Sequence, residues 1–125
     1  MKEVITSANA PQAIGPYSAA LKTGELIFVS GQLPLDPSSG TMPEGIAAQT
    51  AQSLANLKAL LEAAGSGLDK VVKTTVFLQH ISDFAAMNEV YAKTFAAPYP
   101  TRSAFEVAAL PKGALVEIEC IALAK

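Results

Sequence analysis

The spacing of apolar positions changes repeatedly along this chain, and each change predicts an element. ELIFVSGQ (residues 25–32) is a short apolar run that stops at Gly31 and runs into PLDPSSGT, a cluster of turn residues; it predicts a strand entering a loop. From Pro43 onward, EGIAAQTAQSLANLKALLEAAG places Leu54, Leu57, Leu61 and Ala64 at three- and four-residue steps, with Gly65 suited to the C-terminal cap of an amphipathic helix. DKVVKTTVFLQ (69–79) has β-branched residues at 71, 72, 74, 75 and 76 and predicts a second strand. Ser82 or Asp83 can then cap a second helix, whose Phe84, Met87, Tyr91 and Phe95 share one stripe that reads as a core face.

The remaining segments alternate with period two. In RSAFEVAAL (102–110), Phe105 and Val107 fall on one face and Ala104, Glu106 and Ala108 on the other. LPKGA reads as a turn, and LVEIECIALA (115–124) as the last strand, with Val116, Ile118 and Cys120 on one side and Glu117, Glu119 and Ile121 on the other. The order β, α, β, α, β, β predicts an α+β fold with two helices packed on one face of a mixed sheet. With 125 residues and no linker, repeat or low-complexity tract, the chain reads as a single domain, 1–125.

Composition narrows the function. Half of the residues are hydrophobic, 16% are charged, and the mean hydropathy is +0.32, so part of the surface is expected to face another subunit. A net charge of −2 and a pI near 5.3 argue against a nucleic-acid footprint. No run approaches the roughly 20 apolar residues of a membrane span, and the N-terminal residues do not read as a signal peptide, so a cytoplasmic protein is expected. One cysteine and one histidine exclude an internal disulfide and leave no cysteine- or histidine-based metal set within one chain. GSG (65–67) follows a helix instead of opening one, which is the wrong context for a phosphate loop. His80, in the polar loop QHISD, reads as solvated or capping, and Cys120 as a buried structural thiol.

Three residues stand out. Arg102 is the only arginine beside eight lysines and lies where a loop meets a strand, so its planar fork is the first candidate for an anion ligand. Glu117 and Glu119 interrupt an apolar strand on one face, so that face is wet or at least one of them points into a pocket. With Tyr17, in the turn IGPYS, and Asn88, on the second helix, these groups could form a small anionic-ligand site; spacing alone does not bring them together.

NAPQAIGPYSAAL, FVSGQLPLDPSSG, LLEAAG, VVKTTVFL, FAAMNEVY and PTRSAFEVAALPKGALVEIECIA together resemble the RidA family, also called YjgF or L-PSP, over essentially the whole chain. The resemblance implies a chorismate-mutase-like α+β fold, a homotrimer with clefts between subunits, and no metal or cofactor. It also implies hydrolysis of 2-imino acids, 2-iminopropanoate and 2-iminobutanoate, to 2-keto acids and ammonia. Arg102 would hold the substrate carboxylate, and Glu117, kept ionised by a nearby arginine, would position the attacking water. Tyr17 would lie over the ligand, Asn88 at the cleft, and Gly31 where main chain approaches the substrate. Many bacterial relatives carry cysteine where this chain has Ala104, so a backbone contact is all that position retains, and the Phe95–Arg102 connection is shorter than in some. The alternative is a non-catalytic module of binding or chaperone-like type that senses a small carboxylate in the same cleft. The family's older labels, endoribonuclease and translation inhibitor, fit poorly with an acidic chain that has one histidine and no aromatic–basic interleaving.

Overall fold

The computed structural model describes residues 1–125. Its strands are β1 (Glu3–Ile5), β2 (Ala20–Thr23), β3 (Leu26–Gln32), β4 (Val71–Leu78), β5 (Thr101–Glu106) and β6 (Val116–Leu123); its helices are α1 (Ile46–Ala63) and α2 (Phe84–Thr94). They form one six-stranded sheet in the order β1-β2-β3-β6-β4-β5. The β4–β5 pair is parallel and every other pair antiparallel. A parallel pair needs a long crossover, and α2 supplies it between β4 and β5. The C-terminal strand β6 inserts between β3 and β4, so the last segment of the chain lies in the middle of the sheet.

The expected α+β mixed sheet with two helices is present, with two additions and several moved boundaries. The additions are β1 and β2. At three and four residues they are too short to show a period, and β2 turns into β3 through Gly24 at φ 58. The predicted strand 69–79 begins at Val71, because Leu68–Lys70 form a 3-10 turn. The alternation predicted over 102–110 ends at Glu106. Asp83 occupies the N-cap of α2, but its side chain makes no capping hydrogen bond there.

Helix α1 ends as its sequence demands. Gly65, at φ 83, donates its N–H to the Glu62 carbonyl at 3.0 Å, and Ser66 donates to Leu61 at 2.8 Å, the paired bonds of a Schellman motif. Its Leu54, Leu57, Leu60 and Leu61 are buried in one cluster with Ile27 and Val29 of β3, Val76 and Leu78 of β4, Met87 of α2, and Val116, Ile118, Cys120 and Ala122 of β6. The strand register extends that helix-covered face across the sheet, since Val76 pairs with both Ile118 and Ala104, and Thr74 with both Cys120 and Arg102. The other face carries Phe28, Ile121, Phe77, Phe105, Glu117 and Glu119, because Phe28 pairs with Ile121, and Phe77 with Glu117 and Phe105. No helix covers this second face, and Phe28, Phe105 and Leu123 remain 41%, 45% and 41% exposed. The helices and the sheet make two layers, and the second face of the sheet carries no covering layer within the chain.

Candidate functional site

Arg102 lies on the helix-covered face. Its guanidinium donates to Asn88 Oδ1 at 2.6 Å and stands over two rings of α2, with 4.7 Å to the Tyr91 centroid and 5.3 Å to that of Phe84. Residues 84, 88 and 91 follow the helical period, so one stripe of α2 supplies both the acceptor and the shelf. Tyr91 is fixed from below, its hydroxyl 2.7 Å from Thr74 Oγ1. Burial pushes the Tyr91 hydroxyl above its ordinary pKa, with its Thr74 hydrogen bond and the Arg102 charge opposing, so the ring remains a neutral platform. A cation over aromatic faces is held without consuming its N–H donors, and within the chain one Arg102 hydrogen bond is formed. The donors border a groove of about 370 Å³ lined by Asn88, Tyr91, Ala92, Tyr99, Pro100 and Arg102.

Glu117 lies on the opposite face, in a larger cleft of about 600 Å³ shared with Tyr17, Gly31, Leu33, Leu35 and Lys112. Strand β3 is bulged where it passes: Val29 pairs with Cys120 and Gln32 with Ile118, so Ser30 and Gly31 together oppose the single residue Glu119. The extra residue brings the Gly31 main chain against the Glu117 side chain. A β-carbon on Gly31 would collide with the carboxylate, lying 3.0 Å from Cδ and 3.2 Å from Cγ. The absence of a side chain at Gly31 therefore makes room for Glu117. Tyr17, 54% exposed, lines the cleft after Gly15, whose φ of 113 turns the chain there.

The carboxyl of Glu117 is held above its ordinary pKa, first by burial and then by the neighbouring Glu119. The arginine expected beside it is not supplied by its own chain. Within one chain the two residues occupy opposite faces of the sheet, and no cation contributes to the Glu117 shift. Tyr17, Gly31 and Glu117 thus come together, Arg102 and Asn88 come together, and the two sets do not. Ala104 joins neither: it pairs with Val76 and packs against the core. Cys120 is buried, its thiol pushed up to about 12 chiefly by burial, as suits a structural residue. His80 is exposed at the start of the 3-10 turn Ile81–Asp83, without a side-chain capping bond. No three His, Cys, Asp or Glu side chains converge as a metal site would require, and no helix is long and apolar enough to cross a membrane.

The ring shelf was hidden in the sequence because Phe84 and Tyr91 obey the same apolar stripe as Met87, which is wholly buried. Lys112 gave a different signal, a lysine inside a Pro-x-Gly turn. It adopts φ 60 and lines the Glu117 cleft.

Residues 7–124 match the family described as Endoribonuclease L-PSP. A RutC family protein of Pyrococcus horikoshii is 54% identical, the match covering 98% of each chain. A Bos taurus protein named 2-iminobutanoate/2-iminopropanoate deaminase is 48% identical over 98% of this chain and 90% of its own. The crystal structure of RidA from an Antarctic Psychrobacter superposes with a TM-score of 0.94 at 48% identity, covering 97% of this chain and 98% of that one. The sheet, the two helices and the segments bearing Arg102 and Glu117 all lie within these matches, and the chain belongs to the L-PSP family, in which it is similar both to RidA and to 2-iminobutanoate/2-iminopropanoate deaminases.

Proposed function

We propose that this protein hydrolyses small 2-imino acids to 2-keto acids and ammonia, in sites that form only when two copies of the chain meet. The observation that carries the reading is the division of polar groups. A carboxylate-binding fork is preorganised in one open groove, and a desolvated glutamate lies in another on the far side of the same sheet. Neither half suffices, because a guanidinium supplies no base and Glu117 supplies no anchor. The bare face bearing Phe28, Phe105 and Leu123 supports an assembly of copies that covers it. The family resemblance favours a homotrimer.

In the assembled site Arg102 takes the substrate carboxylate through two parallel N–H···O bonds, with Asn88 steadying the fork. The Glu117 carboxylate accepts a hydrogen bond from a water and removes its proton as the oxygen attacks C2 of the iminium ion. The C=N double bond becomes a single bond, giving a carbinolamine. Glu117 returns the proton to the nitrogen, ammonia departs as the C–N bond breaks, and the hydroxyl proton is lost as the C=O bond forms. A carboxyl with its pKa raised by burial suits both directions of this transfer better than an ordinary glutamate. An iminium is already electrophilic, so orientation and a placed water are the main demands on the protein.

The test couples an amino-acid oxidase or a threonine dehydratase to this protein and follows loss of the imine optically. Wild type is expected to accelerate the loss and Arg102→Ala to abolish the acceleration. A correctly assembled wild type without effect would leave a non-catalytic carboxylate-binding module as the better reading.

A further inference from the structure

The buried face of α1 changes character along its length. Toward its C-terminus it presents Leu57, Leu60 and Leu61, as a helix packed on a sheet should; nearer its N-terminus Leu54 shares the buried face with four polar residues, Gln49, Thr50, Ser53 and Asn56. Burying polar groups costs free energy unless they are hydrogen-bonded, and packing alone would favour apolar residues here. The Thr50 and Ser53 hydroxyls have no partner. Both amides are hydrogen-bonded at oxygen and at nitrogen: Asn56 reaches a wall of the Glu117 cleft, and Gln49 reaches the chain two residues before Glu117.

Gln49 Oε1 accepts the Leu115 N–H at 2.8 Å, while its Nε2 donates to the Pro43 carbonyl at 3.0 Å. Leu115 leads through Val116 into Glu117, and on its other side joins the Pro111–Gly113 turn that brings Pro111 and Lys112 to the cleft. Asn56 Nδ2 donates to the carbonyls of both Leu33 and Leu35 at 3.0 Å, and these residues line the cleft. Its Oδ1 accepts from Gln52 Nε2 at 3.0 Å, one turn earlier on the helix, which fixes the orientation of the amide. Two side chains of one rigid helix therefore hold the Leu33–Leu35 wall and the approach to the Glu117 strand at a set separation.

We propose that Gln49 and Asn56 are positioning residues for the imine-hydrolysing site, fixing Glu117 and its cleft walls from behind. The proposal rests on the deaminase reading above for its kinetic consequence. It asks of these residues more than loop anchoring, since a displacement of about 1 Å at a reacting group can cost on the order of 100-fold in rate.

Conservative exchange separates the two roles. Gln49→Glu keeps an acceptor for the Leu115 N–H, whereas Gln49→Leu fills the space without one. With imine as substrate, Gln49→Leu is expected to lower kcat by about 10- to 100-fold while KM stays within about threefold, because Arg102 still anchors the carboxylate. Gln49→Glu should keep kcat within about fivefold of wild type, although a carboxylate at a buried position lowers its melting temperature more than leucine does. Equal kcat values in the two variants, or a loss confined to KM or stability, would overturn the proposal. Asn56→Asp, which keeps the acceptor for Gln52 and removes both donors, serves the same purpose if Gln49→Leu does not fold, and should show the same kcat-dominated loss. Should wild type itself fail to hydrolyse imines, the deaminase reading falls, and the positioning claim is read from amide exchange at Lys112, Gly113 and Leu115. Faster exchange in Gln49→Leu than in Gln49→Glu supports it, and equal protection in both overturns it.

Discussion

The Arg102 groove and the Glu117 cleft are built by different means. The groove comes from one helix and the adjoining strand: Asn88, Phe84 and Tyr91 reach Arg102 from a single stripe of α2, with Thr74 bracing the tyrosine. The cleft is gathered from distant segments, namely the coil from Pro11 to Tyr17, the bulged end of β3, the Leu33–Leu35 loop, the Pro111–Lys112 turn and β6. Local construction yields a rigid binding fork that depends on little else. Assembly from many segments yields a half-buried, partly desolvated carboxyl, at the cost of needing each segment in place. On the proposed deaminase reading, binding and chemistry are divided between two faces of one sheet, and the division can be broken experimentally one side at a time.

The largest expected effect is on the groove side. Removing a charge-assisted carboxylate anchor costs about 2–5 kcal/mol, so Arg102→Ala should lower kcat/KM for imine hydrolysis by roughly 30- to 5,000-fold and abolish keto-acid binding in calorimetry. Arg102→Lys should recover little, since an ammonium lacks the fork and fits the ring shelf poorly. On the cleft side, Glu117→Gln should lower kcat by about 100-fold or more, in the range of general acid–base catalysis, while keto-acid affinity stays near that of wild type. Equal loss of affinity in the two variants would abolish the distinction between anchor and base.

Gly31→Ala tests the cleft more gently. The added methyl meets the end of a flexible side chain, so stability should change by less than about 1 kcal/mol, yet the displaced carboxylate should slow turnover by about tenfold. Unchanged kcat would mean that the close approach of Gly31 to Glu117 has no catalytic consequence.

The smallest effects concern pH. Burial and Glu119 raise the Glu117 pKa, so the acid limb of kcat should bend above the ordinary carboxylate range. The linkage has a definite sign. Between its ordinary and its raised pKa the folded protein binds a proton that the unfolded chain has released, so stability falls as pH rises through this window. Above the window the buried charge remains a cost, and Glu117→Gln should melt at a higher temperature than wild type at neutral pH and at a similar one in acid. A lower melting temperature for the variant at neutral pH would place the carboxylate in a favourable contact instead.

Much of this was legible in the sequence where a period was long enough to read. The alternation of LVEIECIALA correctly separates Glu117 and Glu119 from Val116, Ile118 and Cys120, and the leucine spacing of α1 with Gly65 fixes both that helix and its end. The face on which Arg102 falls was not legible. It depends on the parallel register of β5 with β4, which α2 sets through space and no local pattern encodes. The same limit hid β1 and β2, too short for a period, and hid the bulge that brings Gly31 to Glu117. Gln49 and Asn56 escaped notice because a search for apolar spacing passes over polar residues on a helix's buried side.

The central claim is that Arg102 of one copy and Glu117 of another make one site, and mixing two inactive variants tests it most directly. Arg102→Ala and Glu117→Gln chains, unfolded together in equal amounts and refolded, form some contacts in which both residues are native. If subunits mix at random in a closed ring with one site per interface, about one quarter of the sites are intact, and imine-hydrolysis activity should return to about that fraction of wild type. Mixed assemblies that remain as inactive as either variant alone would contradict the account.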